Sequence, residues 1–355
     1  MTRWSESSFL RSIGLKYTSQ LKRSLRVADR TVHDRLGSRF VGQDTEEKLH
    51  ETMSLIGQRH LLTDSVAADQ FEVHEKCVLT ADHVNEHCDA NYLADPFLAY
   101  FRDVWHLYYE IYNSDSVPTA VIGHSTSHDG GSSWKFEGIA LDLGCHISFP
   151  FVFEHADNLW MVPNLDPDNG GEKIRLYRSE DGYSFDEVAT IAQVESTPTD
   201  RVVFKFEDRW WLIVAASGEN QEELIFFSES LTNESWTPHE SNPVSIGKPR
   251  IPGGSPIVGG DSVIMFFQDG PHYYGKSVEA FEIVKLTPTN YEDRRLSQSS
   301  VIGPSKRKIG WNSGRMHTFE WEKAGGTVMY ALDGDTDLGA SIVGPNWSIR
   351  VYVGE

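Results

Sequence analysis

Five segments of similar pattern recur at nearly one spacing through most of the chain, and this repeat limits the fold more than any other feature. The first runs Ala94-Asp95-Pro96-Phe97-Leu98-Ala99-Tyr100, turns at Arg102-Asp103 and continues as Trp105-His106-Leu107-Tyr108-Tyr109-Glu110. Aligned on Phe97, Phe151, Val203, Ile257 and Thr318, the copies are 54, 52, 54 and 61 residues apart. Each is a short run rich in Val, Ile, Phe, Tyr and Trp, then Gly, Asp or Asn, then a second such run, which is the pattern of a β-hairpin. A second hairpin follows in register, with Trp134, Phe185 and Trp236 each 51 residues apart. Ser127-His128-Asp129-Gly130-Gly131-Ser132-Ser133-Trp134 fits an Asp-box, whose carboxylate bonds backbone amides to hold a turn over the aromatic ring, so its acid is structural. Four strands per unit and five units predict an all-β fold, a five-bladed β-propeller over residues 72–355. Closure requires one blade built from both ends, and residues 72–79 are expected to pair beside residues 347–353.

An N-terminal helical extension precedes the propeller. Residues 1–40 carry nine basic and three acidic side chains, a charge of +6, whereas the whole chain of 355 residues carries -20. Leu10, Ile13, Tyr17, Leu21, Leu25, Ala28, Val32 and Leu36 recur at steps of three and four, so one helix gathers them into an apolar stripe with basic flanks. Such a helix suits an anionic membrane surface. It equally suits packing against the chain's own acidic body. Residues 41–71 read as an acidic helical linker. The net charge argues against nucleic acid as a partner, and an acidic surface with 13 Lys to 19 Arg is what a high-salt cytoplasm favours, though ordinary acidic enzymes share it. The start has no signal-like apolar region and no window has eighteen consecutive apolar residues, so a cytoplasmic protein, peripheral on the inner face of the cell membrane, is expected. Three cysteines are too few and too odd for a disulfide scaffold and point to a reducing compartment.

In a propeller the starts of the innermost strands meet at the axis, so polar residues at repeat-equivalent positions converge. This selects Asp95, His146 and Asp200 as candidate catalytic groups, and Ser148, Arg250, Asp269, Arg315 and His317 as candidate substrate-binding groups. Ser255 is selected with them beside Arg250; Gln268, Asp333 and Asp335 are weaker candidates at the ends of second strands, and Glu110 and Glu154 lie at the ends of their strands. Several carboxylates around one cavity suit sugar chemistry, in which one acid protonates an oxygen and another supports positive charge at the anomeric carbon. The arginines suit a phosphate, or a carboxylated or sulfated sugar. Cys77, His83, His87, Cys88 and Asp89 are close in sequence, but their spacings match no standard zinc site. No metal or cofactor is assigned, and calcium in the channel is left open. Neither a phosphate-cradling glycine loop nor a nucleophile elbow is found.

Ala94-Asp95-Pro96-Phe97, the Asp-box, residues 146–154, Gln268-Asp269 with Tyr274-Gly275, and Gly314-Arg315-Met316-His317-Thr318 with Asp333-Gly334 together resemble the N-terminal propeller domain of plant glucosamine inositolphosphorylceramide transferases, over roughly residues 72–340. Stand-alone relatives occur in prokaryotic surface-glycan gene sets. More distantly the chain resembles five-bladed family 43 glycoside hydrolases, whose catalytic base would fall on Asp95; their acidic Glu has Asp200 nearest its place. In the plant proteins a glycosyltransferase domain follows the propeller, and the present chain ends at Glu355 without one. The resemblance implies assembly of a lipid-linked surface or S-layer (N-linked) glycan at the cytoplasmic face, by sugar addition directly or with a partner glycosyltransferase. The ligand would be a carbohydrate or lipid-linked oligosaccharide. A glycoside hydrolase and a non-catalytic sugar-binding scaffold are the alternatives.

Overall fold

The computed structural model describes residues 24–31, 41–57, 72–217, 221–246, 250–259, 261–269, 274–305, 310–336 and 344–354. Helix α1 (Val41–Gly57) is followed by β1 (Val73–Leu79), which belongs to the last blade. Blade 1 is β2 (Tyr92–Phe101), β3 (Val104–Tyr112), β4 (Ala120–Ser127) and β5 (Lys135–Leu141). Blade 2 is β6 (Ile147–His155), β7 (Asn158–Leu165), β8 (Lys173–Ser179) and β9 (Asp186–Gln193). Blade 3 is β10 (Thr197–Phe206), β11 (Arg209–Ser217), β12 (Gln221–Ser228) and β13 (Thr237–Pro238), with β14 (Ser245–Ile246) also on β12. Blade 4 places β15 (Ile251–Pro252) and β16 (Ile257–Gly259) on β17 (Ser262–Asp269), followed by β18 (Ser277–Thr287) and β19 (Asn290–Arg295). Blade 5 is β20 (Phe319–Ala324), β21 (Thr327–Asp335) and β22 (Trp347–Gly354), completed by β1 antiparallel to β22. The five-bladed propeller and its two-ended closure are those read from the repeat.

Blades stack through the alternate faces of their strands. Phe97, Tyr108, Phe149, Phe151, Tyr177 and Phe319 are almost wholly buried, each such side chain contributing roughly 1.5–3 kcal/mol from apolar burial. The Asp-box turns lie at the β4–β5 and β8–β9 connections. Asp129 accepts from the Ser133 hydroxyl at 2.5 Å, from the Ser133 amide at 2.9 Å and from Ser127 Oγ at 2.9 Å, and these bonds hold its pKa down to about 2 while Trp134 is buried beneath. Asp181 accepts from the Tyr183 amide at 2.8 Å in the second copy.

The inner strands share one irregularity that sets up the site. Register slips between Ala94 and Phe97, between Ser148 and Phe151, and between Thr199 and Arg201, and the residues at the slips, Asp95, Phe149 and Asp200, have φ of 52°, 45° and 21°. A bulge adds a residue to one strand and re-aims its side chain; here it brings Asp95 and Asp200 into one buried cluster, while Phe149 packs edge-on against Phe97 at 4.8 Å. Two inner strands differ from expectation. The run at 254–258 is split, because Gly254 (φ 147°) passes so close to blade 5 that a Cβ there would lie 1.8 Å from the Phe319 carbonyl oxygen. The fifth begins at Phe319 and not at Met316, since the amides of His317 and Thr318 donate to the Asp333 carboxylate at 3.1 and 2.9 Å instead of to a neighbouring strand.

The N-terminal segments rest on blade 5. In α1, Thr45, Leu49, Thr52 and Met53 are buried at helical spacing, with Leu49 and Met53 in one cluster with Val73, Tyr330 and Tyr352. Among helical residues 24–31 the predicted apolar stripe is represented by Leu25, half-buried, and Ala28, exposed. Arg26 and Arg30 face the protein instead: Arg30 donates to Asn346 Oδ1 at 2.7 Å, and Asn346 Nδ2 donates to the Arg26 carbonyl at 3.1 Å. Polar loop atoms and surplus acid in the propeller make the basic face the better match there. The rest of the stripe, and linker residues 58–71, lie outside the described residues. No helix among the described residues is long and apolar enough to cross a membrane.

Candidate active site at the channel mouth

Asp95, in the blade 1 bulge, is 7% exposed. Its Oδ2 accepts from the Phe149 amide at 3.0 Å, and its own amide donates to Asp333 Oδ2 at 3.2 Å. Asp333, at the end of β21, is fully buried and also receives His317 Nδ1 at 2.7 Å. His317 Nδ1 lies 3.6 Å from Asp95 Oδ1. Three donor atoms thus gather within 4.8 Å, the only such group of three His, Cys, Asp or Glu residues among the described residues. Burial pulls the imidazole pKa down, but the Asp333 charge and hydrogen bond, then Asp95 and Asp200, raise it to about 9. The charge at the centre of this group is therefore an imidazolium. On Asp333, burial is outweighed by His317 and the two backbone amides, so its pKa is lowered and it is ionised.

A second set of carboxyls around it is held in the opposite state. Burial first, then the charges of Asp95, Asp200 and Asp333, push Glu110 well above the usual carboxylate range. Burial and the Asp95 charge raise Asp200 to about 7, although Gln268 Nε2 donates to its Oδ2 at 2.8 Å. Asp95 itself is raised by burial, with His317 and Asp333 acting in opposite directions. Near neutral pH the mouth thus presents a carboxylic acid at Glu110, an ionised Asp333–His317 pair in contact with Asp95, and Asp200 close to its titration point. Environments that separate the protonation of neighbouring carboxyls are those that assign acid and base roles.

Aromatic rings frame the mouth. Trp347 stacks on His317 at 4.3 Å, Tyr274 meets the same imidazole edge-on at 4.9 Å, and Tyr92 stacks on Tyr112 at 4.5 Å. The Tyr274 hydroxyl is crowded by protein atoms and by the charges of Asp95, Asp200 and Asp333, so it keeps its proton, although the residue is 54% exposed. Rings and fixed acceptors in one recess are what a polyol with apolar C–H faces requires.

A family model described as glucosamine inositolphosphorylceramide transferase 1, N-terminal, matches residues 53–335. The chain belongs to this family. Glucosamine inositolphosphorylceramide transferase 1 of Oryza sativa subsp. japonica is 28% identical over 257 residues, covering 69% of this chain and 33% of the rice protein. The Arabidopsis thaliana protein of the same name is 29% identical over 271 residues, covering 73% of this chain and 34% of its own length. The chain thus spans about a third of the length of these curated relatives. Among solved structures, a thermostable family-43 glycoside hydrolase superposes with a TM-score of 0.54 at 13% identity, over 74% of this chain and 88% of the hydrolase. An endo-1,4-beta-xylanase from Bacteroides thetaiotaomicron gives 0.53 at 14% identity, over 73% and 90%. At those identities the likeness is one of fold.

In this member of the family, the sequence-selected residues fall into two groups. Asp95, Asp200 and His317 meet at the mouth through the contacts above. His146 joins them through Glu110, its Nε2 3.7 Å from Glu110 Oε1, while Nδ1 pairs with Thr119 Oγ1 at 3.0 Å; burial lowers its pKa, which leaves it neutral. Ser148 is half-buried opposite Asn164 in blade 2. Arg315 is at the rim, bonded through Nε to Asp335 Oδ2 at 2.7 Å and lying 5.0 Å over the Trp347 ring.

Arg250 and Asp269 are not brought to this group. Arg250 pairs with Asp293, lies 3.9 Å from Glu223 and covers the Phe281 ring at 4.5 Å, which places its charge between blades 3 and 4. Strand alternation gives the mouth Gln268 and turns Asp269 away, where it pairs with Lys276 at 2.6 Å. Ser255 binds Glu320 deeper in the channel through its amide and hydroxyl, both at 2.9 Å. Glu110, Gln268 and Asp333 stand nearer the centre of the site than expected from the sequence, and Tyr274, Trp347, Asn164 and Arg201 join it without having been expected there. A usable signal was present: Glu110, Asn164, Gln268 and Asp333 all stand near the ends of second strands.

Proposed function

We propose that this protein assembles glycans, acting on the sugar of a lipid-linked oligosaccharide at the cytoplasmic face of the membrane, and that the channel mouth is where the sugar binds. The observation that carries the reading is the divided protonation of one buried cluster: Glu110 retains a proton while Asp333 and His317 are an ion pair against Asp95. Glu110 is the proton donor to a glycosidic or phosphate oxygen in this reading, and Asp95 supports positive charge at the anomeric carbon or accepts a proton from the acceptor hydroxyl. The named relatives are glucosamine inositolphosphorylceramide transferases, which favours building a glycan over degrading one. Sugar is added here directly or with a partner glycosyltransferase, and a surface or S-layer glycan is the product we favour.

The basic arm fits the same picture. Helical residues 24–31 dock on Thr336 and Asn346, where Thr336 Oγ1 donates to Asp29 Oδ2 at 2.8 Å and the Asn346 amide donates to Asp335 Oδ1 at 2.8 Å. Asp335 in turn holds Arg315 at the rim. The arm therefore joins the propeller beside the mouth, and Lys and Arg of residues 1–23 would bring that face to an anionic bilayer. In co-sedimentation with vesicles containing phosphatidylglycerol, the chain lacking residues 1–40 is expected to lose most of the binding of the full chain. Equal binding of the two would remove the membrane role of the arm.

Deleting the gene is expected to shorten a surface glycan by one sugar, read in its mass spectrum. A hydrolase reading predicts a glycan unchanged or longer, and either result would overturn assembly. A glycan shortened by one sugar in the deletion strain but restored by a channel-mouth variant would assign the propeller to scaffolding.

A further inference from the structure

The largest fully buried side chain among the described residues is Arg201, directly after Asp200, and it forms no ion pair within 4 Å there. It is 0% exposed, and its only hydrogen bond among the described residues is from Nη2 to Asn164 Oδ1; Nε and Nη1 have no partner. The blade 3 bulge explains its position. Thr199 pairs with Ala215 and Arg201 with Val214, which are adjacent on β11 and so face opposite ways, and Arg201 consequently shares a face with Val203 and Leu212. That face looks to blade 2: Trp210, on the same face, meets Phe153 there at 5.8 Å. Arg201 thus enters the wedge between blades 2 and 3, where it meets the half-buried Asn164, the register partner of Ser148.

An unpaired guanidinium in such a place is costly, because a buried charge needs a counter-charge or a full set of hydrogen bonds. Burial lowers its pKa to about 10, with Asp200 opposing, and it remains cationic at neutral pH. With Asn164 on one edge of the guanidinium, the second Nη2 hydrogen and the unpartnered Nε or Nη1 hydrogen on the other edge make the planar fork that takes a carboxylate or phosphate in bidentate fashion. Asn164 and Ser148, register partners on β7 and β6, add an amide and a hydroxyl at the same spot. Asn164 is neutral and cannot balance the charge.

We infer that Arg201, with Asn164 and Ser148, is an anion subsite beside the sugar position, taking an acidic group carried by the glycan or its donor. The acidic group is a phosphate or a uronic acid carboxylate, which share this recognition chemistry. The inference rests on the sugar-binding reading of the channel mouth and specifies which sugars it takes. It also separates the arginine roles: Arg250 is consumed by Asp293 and Glu223, and Arg315 by Asp335, whereas Arg201 retains free donors.

The test is calorimetric titration of the full chain with glucose, glucuronate and glucose 1-phosphate, together with thermal melts in inorganic phosphate. At least one acidic sugar is expected to bind about tenfold or more tightly than glucose, and which one identifies the source of the anion. Arg201→Met should abolish that preference while leaving glucose affinity within about twofold. Asn164→Asp places a carboxylate against the guanidinium; it should raise the melting temperature, remove the acidic-sugar preference and remove stabilisation by phosphate. This second variant decides the matter if Arg201→Met does not fold. Glucose binding with no acidic preference, or a preference that survives Asn164→Asp, overturns the subsite while leaving the sugar site intact. Stabilisation by phosphate that Asn164→Asp removes, with no sugar bound at all, keeps the subsite and sinks the sugar reading.

Discussion

Asp95→Asn and Glu110→Gln each leave the glycan of a complemented deletion strain one sugar short, with the protein folded and at normal level, if the channel mouth performs the chemistry. A general acid or base is worth about 10²–10⁴ in rate, so less than about a hundredth of the activity should remain in each. Asp95→Asn should fold, since Asn tolerates the positive φ of 52° at this position and its side-chain oxygen can still accept from the Phe149 amide. Glu110 accepts no hydrogen bond among the described residues, the neutral His146 Nε2 standing 3.7 Å from it, and its carboxyl is already neutral, so Gln replaces it at little cost in stability while removing the proton it would give. Together the variants distinguish catalysis from binding. Full glycan completion with Asp95→Asn shows that Asp95 is neither acid nor base. Completion with both variants leaves the propeller a scaffold for a partner transferase.

His317→Gln is expected to lower stability at neutral pH by on the order of 3–5 kcal/mol, the cost of leaving a buried charge without its partner. Asp95 and Asp333 would then face each other with no cation between them. The pH dependence gives a second readout. The imidazole pKa is about 9 in the folded protein and about 6.5 unfolded, so its contribution, about 3 kcal/mol by linkage, is fully present below about pH 6.5 and is lost as the pH rises through 9. Asp200, raised to about 7, acts in the same direction: the folded state holds its proton more tightly than the unfolded chain, and stability falls as the pH rises from the ordinary carboxylate range through 7. Asp333, whose pKa is depressed, contributes above that range and loses its contribution in acid. Melting temperatures of the wild type should therefore decline between pH 6.5 and 9, with a shallower decline in His317→Gln. Combining His317→Gln with Asp333→Asn should recover part of the loss, since the uncompensated carboxylate is removed. A variant melting like the wild type at pH 7 would mean that the cluster is not an ion pair.

Much of the fold is legible in the chain because the same physical problem is solved five times. Each blade needs alternating apolar faces to stack on its neighbours and turn residues to reverse its strands, so the pattern recurs at 52–61 residues. The Asp-box at Asp129 is legible for a similar reason, its turn being made by residues adjacent in sequence. The site was legible only in its positions nearest the repeat: Asp95 and Asp200 occupy equivalent bulges, and His317 follows from the fifth copy. Glu110, Asn164, Gln268 and Asp333 obey the same arithmetic on second strands, but the bulge in each inner strand is needed to see that second-strand ends reach the mouth. Arg250 and Asp269 have the right residue types and nearly the right places, yet face Asp293 and Lys276. Side chains one position apart point to opposite faces, so an error of one residue exchanges the channel for an interface.

The amino-acid sequence by itself determined the number of blades, the two-ended closure, the family and the uneven charge of arm and propeller, because these depend on composition, period and local turns. Tertiary structure alone decided which acids hold protons, that His317 is the cation between two carboxylates, and that Arg201 is buried with donors to spare. The reason is that protonation and unpaired charge depend on desolvation and on atoms a few ångströms away, and those atoms come from residues separated by 15 to 238 positions in the chain.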